Sequence, residues 1–171
     1  MQIEEPLFLV NPYNDPIVVK IVGKASFQNS GPVKALFDKL VIQGKRDFVI
    51  DFQSCTGMDS TFLGILAGLG IKLMKKETKG SVVLSRLGTR NYELVKNLGL
   101  HRILVVDDGT ITTEAISSGA MEKIGTENKR TEIENARLVL EAHENLVQID
   151  ASNQAKFQDV IAFLKNQVDE D

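Results

Sequence analysis

The sequence predicts an α/β layer fold: a mixed, largely parallel sheet of about four to five strands with helices packed against it. Three observations carry this expectation. Apolar runs rich in β-branched residues alternate with helical apolar stripes from residue 17 to 118. The run Phe48-Val49-Ile50-Asp51-Phe52 is apolar on both faces apart from Asp51, as a central strand with parallel neighbours requires. Each apolar run is followed by turn or capping residues and then a segment of helical period.

Residues 1–16 hold Pro6, Pro12 and Pro16 among Asn11, Asn14 and Asp15, and read as an extended or turning lead-in. Ile17 to Val22 is a strand by its β-branched content and ends at Gly23; Ala25-Ser26-Phe27 is ambiguous. Asn29 or Ser30 caps the next helix, with Pro32 in its first turn and Val33, Leu36, Phe37, Leu40 and Val41 on one face. After the strand at 48–52, Gln53 to Asp59 forms a polar turn. A helix then runs from about Ser60 to Met74. Its internal Gly64, Gly68 and Gly70 each cost roughly 1 kcal/mol against alanine, and close packing on the sheet is the simplest compensation. Ser81 to Ser85 is a strand, Thr89 or Asn91 starts a short helix closed by Gly99, and Ile103 to Val106 is a further strand. Thr110 caps a helix reaching about Ser118.

Residues 119–131 form a polar connection, and 132–171 form a helical extension. One stripe holds Ile133, Ala136, Leu140, His143, Leu146 and Val147; a second holds Phe157, Val160, Ile161, Leu164 and Val168. Each stripe must be buried, either on the α/β core or against a second copy, so a homodimer through these helices is one expectation.

Composition narrows the function. The 171 residues are 43% hydrophobic and 25% charged, the balance of a globular domain with a substantial core. A net charge of −3 argues against nucleic acid as the main ligand. No apolar stretch is long enough to span a bilayer, and the acidic MQIEEPLFLV start does not read as an export signal. Cys55, the single cysteine, suits a reducing compartment, so the expected location is the cytoplasm.

Little supports metal or cofactor chemistry. His101, His143 and Cys55 have no ligand spacing, and the glycines of the 60–74 helix lie inside it, where they cannot cradle a phosphate. On its apolar stripe His143 reads as structural. Cys55 precedes a helix start, which can activate a thiol, but no histidine is near it in sequence and a small filler residue is the plainer reading. Ser60 is more informative. As a structural residue, it or Asp59 caps the helix. As a functional one, its hydroxyl at a helix start is a phosphoacceptor, since free N–H groups and the positive end of the dipole tolerate phosphate. The two roles are compatible.

The run Asp51-Phe52 … Gly57-Met58-Asp59-Ser60-Thr61-Phe62-Leu63-Gly64-Ile65-Leu66 resembles the signature of STAS domains, the anti-sigma-factor antagonist family. Gly80 to Leu84 and Leu94 to Leu100 extend the likeness, which covers about residues 15–118. The resemblance implies a bacterial partner-switching module in signal transduction and transcription regulation. It implies that Ser60 is phosphorylated by a serine kinase that is also an anti-sigma factor, that a serine phosphatase reverses this, and that only the unphosphorylated form binds the kinase. Asp59 would set the turn and local charge, Thr61 would be a secondary acceptor, and Asp59, Ser60, Thr61 and Phe62 would meet the partner. No cofactor is implied, since nucleotide belongs to the kinase. Phe62 departs from the family pattern, which has a small residue there; it either fills a pocket on a partner or narrows access to Ser60. Alternative readings are a non-switching STAS adaptor and, with no base or nucleophile elbow placed by motif, a hydrolase using Ser60 or Cys55.

Overall fold

The computed structural model describes residues 7–75, 77–107, 121–125 and 129–169. Among these residues six strands form one sheet: β1 (Leu7–Asn11), β2 (Ile17–Ala25), β3 (Asp47–Met58), β4 (Ser81–Ser85), β5 (Val105–Val106) and β6 (Glu122–Ile124). Five helices accompany them: α1 (Gly31–Ile42), α2 (Ser60–Met74), α3 (Thr89–Asn97), α4 (Glu132–Ile149) and α5 (Asn153–Asp169). The strand order is β5-β4-β3-β2-β1-β6. The four strands from β2 to β5 run parallel, with α1 connecting β2 to β3 and α2 connecting β3 to β4. β1 is antiparallel to both β2 and β6, so the sheet is mixed.

Alternation along the strands builds the core. Phe8 and Val10, Ile17, Val19 and Ile21, Phe48, Ile50 and Phe52, and Val82 and Leu84 all belong to the main hydrophobic cluster, as do Val33, Phe37 and Leu40 of α1 and Leu63, Leu66 and Leu73 of α2. Phe37 meets Phe48 edge to face, ring centroids 5.8 Å apart. Asp51 is buried in the central strand, where Arg86 donates to both its carboxylate oxygens, at 3.0 and 2.6 Å. That pairing explains how the strand tolerates its one charge.

The structure corrects several expectations. The lead-in contains a strand: Leu7–Asn11 pairs with β2, and Pro12 and Pro16 flank it without interrupting its ladder. The sheet accordingly has six strands, above the four to five expected. β2 runs through Gly23 (φ 82°) to Ala25, with an irregular register on either side, so the glycine marks a bulge and does not end the strand. β3 continues through the expected polar turn to Met58, paired with the extended end of β2. The last strand is short, because Leu100–Arg102 forms a 3-10 turn ahead of Val105–Val106. A three-residue strand, β6, lies within the polar connection. The helix expected from Thr110 to Ser118 lies outside the described residues.

The helical extension forms a hairpin that packs on the α/β core, the first of the two expectations, by way of α2. α4 packs along α2 and buries Ala136, Leu138, Ala142, His143 and Leu146; α5 packs on α4. The glycines of α2 serve this contact. A Cβ at Gly64 would run into the backbone carbonyl of Ala142, and one at Gly68 would lie 2.6 Å from the side-chain nitrogen of Asn145. Gly64 and Gly68 therefore admit another helix and not the sheet, whereas Gly70 faces Ile103 and Leu104. With the α4 stripe used inside the chain, a homodimer contact through the extension is left with the outer face of α5, where Val160 and Phe163 are exposed.

The hairpin's turn is latched to the end of α3. Asn153, fully buried, donates from Nδ2 to the carbonyls of Leu98 (2.9 Å) and Leu146 (2.8 Å). Lys156 donates to the Asn97 carbonyl at 2.7 Å.

Candidate functional site

The candidate site is the junction where β3 ends and α2 begins. Asp59 has extended backbone and forms the N-cap of α2. Its Oδ1 accepts from the Phe62 N–H at 2.9 Å, and its Oδ2 accepts from the Phe27 N–H at 2.8 Å. One carboxylate thus caps the helix and ties down the loop between β2 and α1. That loop is closed by its own polar residues. Asn29 Oδ1 accepts from the Ser26 N–H, Asn29 Nδ2 donates to the Lys24 carbonyl, and the Ser30 hydroxyl donates to the Ser26 carbonyl. Neither Asn29 nor Ser30 makes a side-chain cap to α1, contrary to expectation. Their hydrogen-bonding groups are already engaged in shaping the loop.

Ser60 is the first residue of α2 and is half-buried. Its Oγ lies 2.8 Å from Nε2 of His143 on α4. The other ring nitrogen, Nδ1, is 2.7 Å from the carbonyl of Val139, which can only accept, so Nδ1 carries the proton and donates. In the neutral ring Nε2 is then the acceptor, and the Ser60 hydroxyl donates to it. The ring is 4% exposed and packs edge to face on Phe157 of α5, centroids 4.8 Å apart.

The remaining expected contact residues face inward. Thr61 is 3% exposed, and as placed its hydroxyl is not open to a modifying enzyme. Phe62 is 1% exposed and stacks on Phe8, centroids 5.9 Å apart. It neither presents its ring to a partner nor stands over Ser60. Position 62 is a core position of α2, filled here by a large ring whose counterpart comes from β1. Asp59 and Ser60 stay at the surface junction; Thr61 and Phe62 do not.

A serine within hydrogen-bond reach of a histidine raises the question of nucleophilic chemistry. Among the described residues the pair has neither a carboxylate orienting the histidine nor a free N–H at the helix start shown beside it. The Val139 carbonyl, not a carboxylate, orients His143, and the Phe62 N–H at the helix start is occupied by Asp59. Cys55 is also ill-suited to nucleophilic attack: burial pushes its thiol pKa up, outweighing its hydrogen bonds to Gly57, Ala25 and Asn91. Among the described residues no group of three or more His, Cys, Asp or Glu side chains is placed to hold a metal ion, and no helix is long and apolar enough to cross a membrane.

Sequence reasoning proposed Asp59 and Ser60 as candidates, and the structure places both at the start of α2; it missed the link to His143. The helical stripe placed His143 correctly among buried residues, yet nothing in its spacing marks the helix it would meet.

Comparison with known proteins agrees with this architecture. The family model for the STAS domain matches residues 9–115, so the chain belongs to the STAS domain family. No curated protein matches it significantly. Among solved structures, it resembles the anti-sigma factor antagonist SpoIIAA in its unphosphorylated form, with 18% identity and a TM-score of 0.52, over 63% of this chain and 92% of that one. The Bacillus cell fate determinant SpoIIAA in its phosphorylated form gives 18% identity and a TM-score of 0.51, over 64% and 96%. An anti-sigma factor antagonist from Mycobacterium paratuberculosis gives 23% and 0.51, over 67% and 93%. At these identities the likeness concerns the fold. The α4–α5 hairpin lies wholly beyond the matched residues.

Proposed function

We propose that this chain is a cytoplasmic protein-interaction module of the anti-sigma-factor-antagonist type, controlled by phosphorylation of Ser60. The observation that carries the reading is the position of the Ser60 hydroxyl at the first residue of α2, beside an Asp59 carboxylate locked by two backbone N–H groups. A phosphate there adds roughly two negative charges to a surface otherwise held rigid. Membership of the STAS family and the fold shared with antagonists, one of them solved in a phosphorylated form, support it.

In this reading the partner is a serine kinase that doubles as an anti-sigma factor, a serine phosphatase resets the module, and nucleotide is bound by the kinase alone. Unphosphorylated Ser60 permits the complex; the phosphate abolishes it. Affinity capture with full-length Ser60→Ala and Ser60→Asp baits tests this. The expected result is a kinase-type protein retained by the alanine form and depleted by the aspartate form. Identical partners on both baits would favour the second reading, a non-switching adaptor. The burial of the Ser60 hydroxyl against His143 speaks for that alternative, since it gives the serine a structural use.

A further inference from the structure

We infer that the α4–α5 hairpin is a built-in mask for the start of α2, and that a phosphate on Ser60 and a docked α4 exclude each other. This rests on the reading of Ser60 as the modified residue.

Three observations place the mask. Ser60 Oγ, the atom that would carry the phosphate, is hydrogen-bonded to His143 Nε2 at 2.8 Å. His143 cannot turn aside while α4 is docked, because its Nδ1 is held by the Val139 carbonyl and its ring lies against Phe157. One turn further along α2 the helices touch at the backbone: Gly64 lies against the Ala142 carbonyl, and Asn145 Nδ2 donates to the Gly64 carbonyl at 3.2 Å. This contact holds α4 close along α2 on the C-terminal side of Ser60.

A phosphoryl group on Oγ has to occupy the space now filled by the imidazole. It also replaces a hydroxyl donor with oxygens that only accept, facing a nitrogen that in the neutral ring also only accepts. Modification therefore requires α4 to leave Ser60, and the modified serine does not take α4 back. The hairpin's turn is held separately, latched to α3 through Asn153 and Lys156. The released part is accordingly the segment from 132 to 146. In the unphosphorylated chain a partner that binds this face of α2 must likewise displace α4, so the hairpin and the partner compete for one surface.

Two experiments on the full chain test the mask. In the first, phosphoserine is installed at position 60 during synthesis and amide hydrogen exchange is followed by mass spectrometry. Peptides within 132–146 are expected to exchange at least about tenfold faster in the phosphorylated chain, while β2 and β3 keep their protection. Equal protection of 132–146 in both forms overturns the inference. The second needs no phosphate and no partner. Ser60→Cys in a Cys55→Ser background is titrated with a maleimide, with and without Asn145→Ala, which removes one α2–α4 hydrogen bond. Slow labelling that Asn145→Ala accelerates is expected; equally fast labelling in both chains overturns the mask. Failure to find phosphate on Ser60 in cells would sink the proposed function but leave this labelling result standing.

Discussion

Ser60 on α2 and His143 on α4, eighty-three positions apart, share a hydrogen bond of 2.8 Å. The bond joins the residue at the start of the STAS helix to a hairpin outside the STAS core. Ser60→Ala leaves Nε2 of a buried imidazole without its donor, a loss of about 1–3 kcal/mol. His143→Ala removes the bond and the packing on Phe157. In urea unfolding the two effects are expected to be non-additive, with a coupling of about 1 kcal/mol. Strict additivity would mean that the two side chains do not interact in solution.

Gly64→Ala tests the packing of the two helices. Inside a helix the change ordinarily stabilises by roughly 1 kcal/mol. Here the new methyl meets the Ala142 carbonyl, and the expected outcome is a net loss of about 1–3 kcal/mol. Gly57→Ala, whose Cβ would meet only the Lys24 side chain at 4.0 Å, an ordinary contact, serves as the control and is expected to be neutral or mildly stabilising in the same thermal melt.

Phe62 is a core residue, so Phe62→Ala is expected to cost about 3–5 kcal/mol. The milder, still apolar Phe62→Leu should retain the fold and leave partner capture unchanged. Lost capture by a stably folded Phe62→Leu chain would return Phe62 to the partner surface.

Asp59→Ala removes the α2 cap and the anchor of the Phe27 N–H together. A loss of about 1–2 kcal/mol is expected from the cap, with faster amide exchange in residues 26–30. If the loss appears without a change in the loop, the Phe27 contact is of no consequence.

Acid should weaken the α1–α2 contact. Burial raises the pKa of Asp38, but hydrogen bonds from Lys34 and Lys72 and their charges outweigh it, and the carboxyl is held below its ordinary value of 3.8. A depressed folded-state pKa contributes stability that is fully present above the ordinary value and is lost as pH falls through the lower one. Denaturation midpoints measured below pH 4 should therefore fall less steeply with acid in Asp38→Asn than in the parent. Parallel slopes would show that these ion pairs do not contribute.

The elements visible in the sequence were those with a strong period or a strong cap. β3 was legible from its continuous apolar run, and α2 from Asp59 followed by an apolar segment. β1 was hidden because the prolines around Leu7–Asn11 signal breaks, whereas a strand's flanks can hold them. β6 was hidden because two charged residues and one isoleucine at a sheet edge carry no pattern; only its pairing with β1 defines it. The inward orientation of Thr61 and Phe62 follows from helix geometry once Ser60 faces α4. The partner of α2's glycine face was not legible, because small residues state that something comes close without stating what. The Ser60–His143 bond was out of reach for the same reason, since it depends on how α4 docks and not on any local signal.

Phosphosite mass spectrometry on the full-length protein from its native cells, sampled under several growth conditions, tests the central claim most directly. Phosphate on Ser60, with an occupancy that changes between conditions, is the predicted result. A Ser60 that stays unmodified in every condition while the protein is abundant would contradict it.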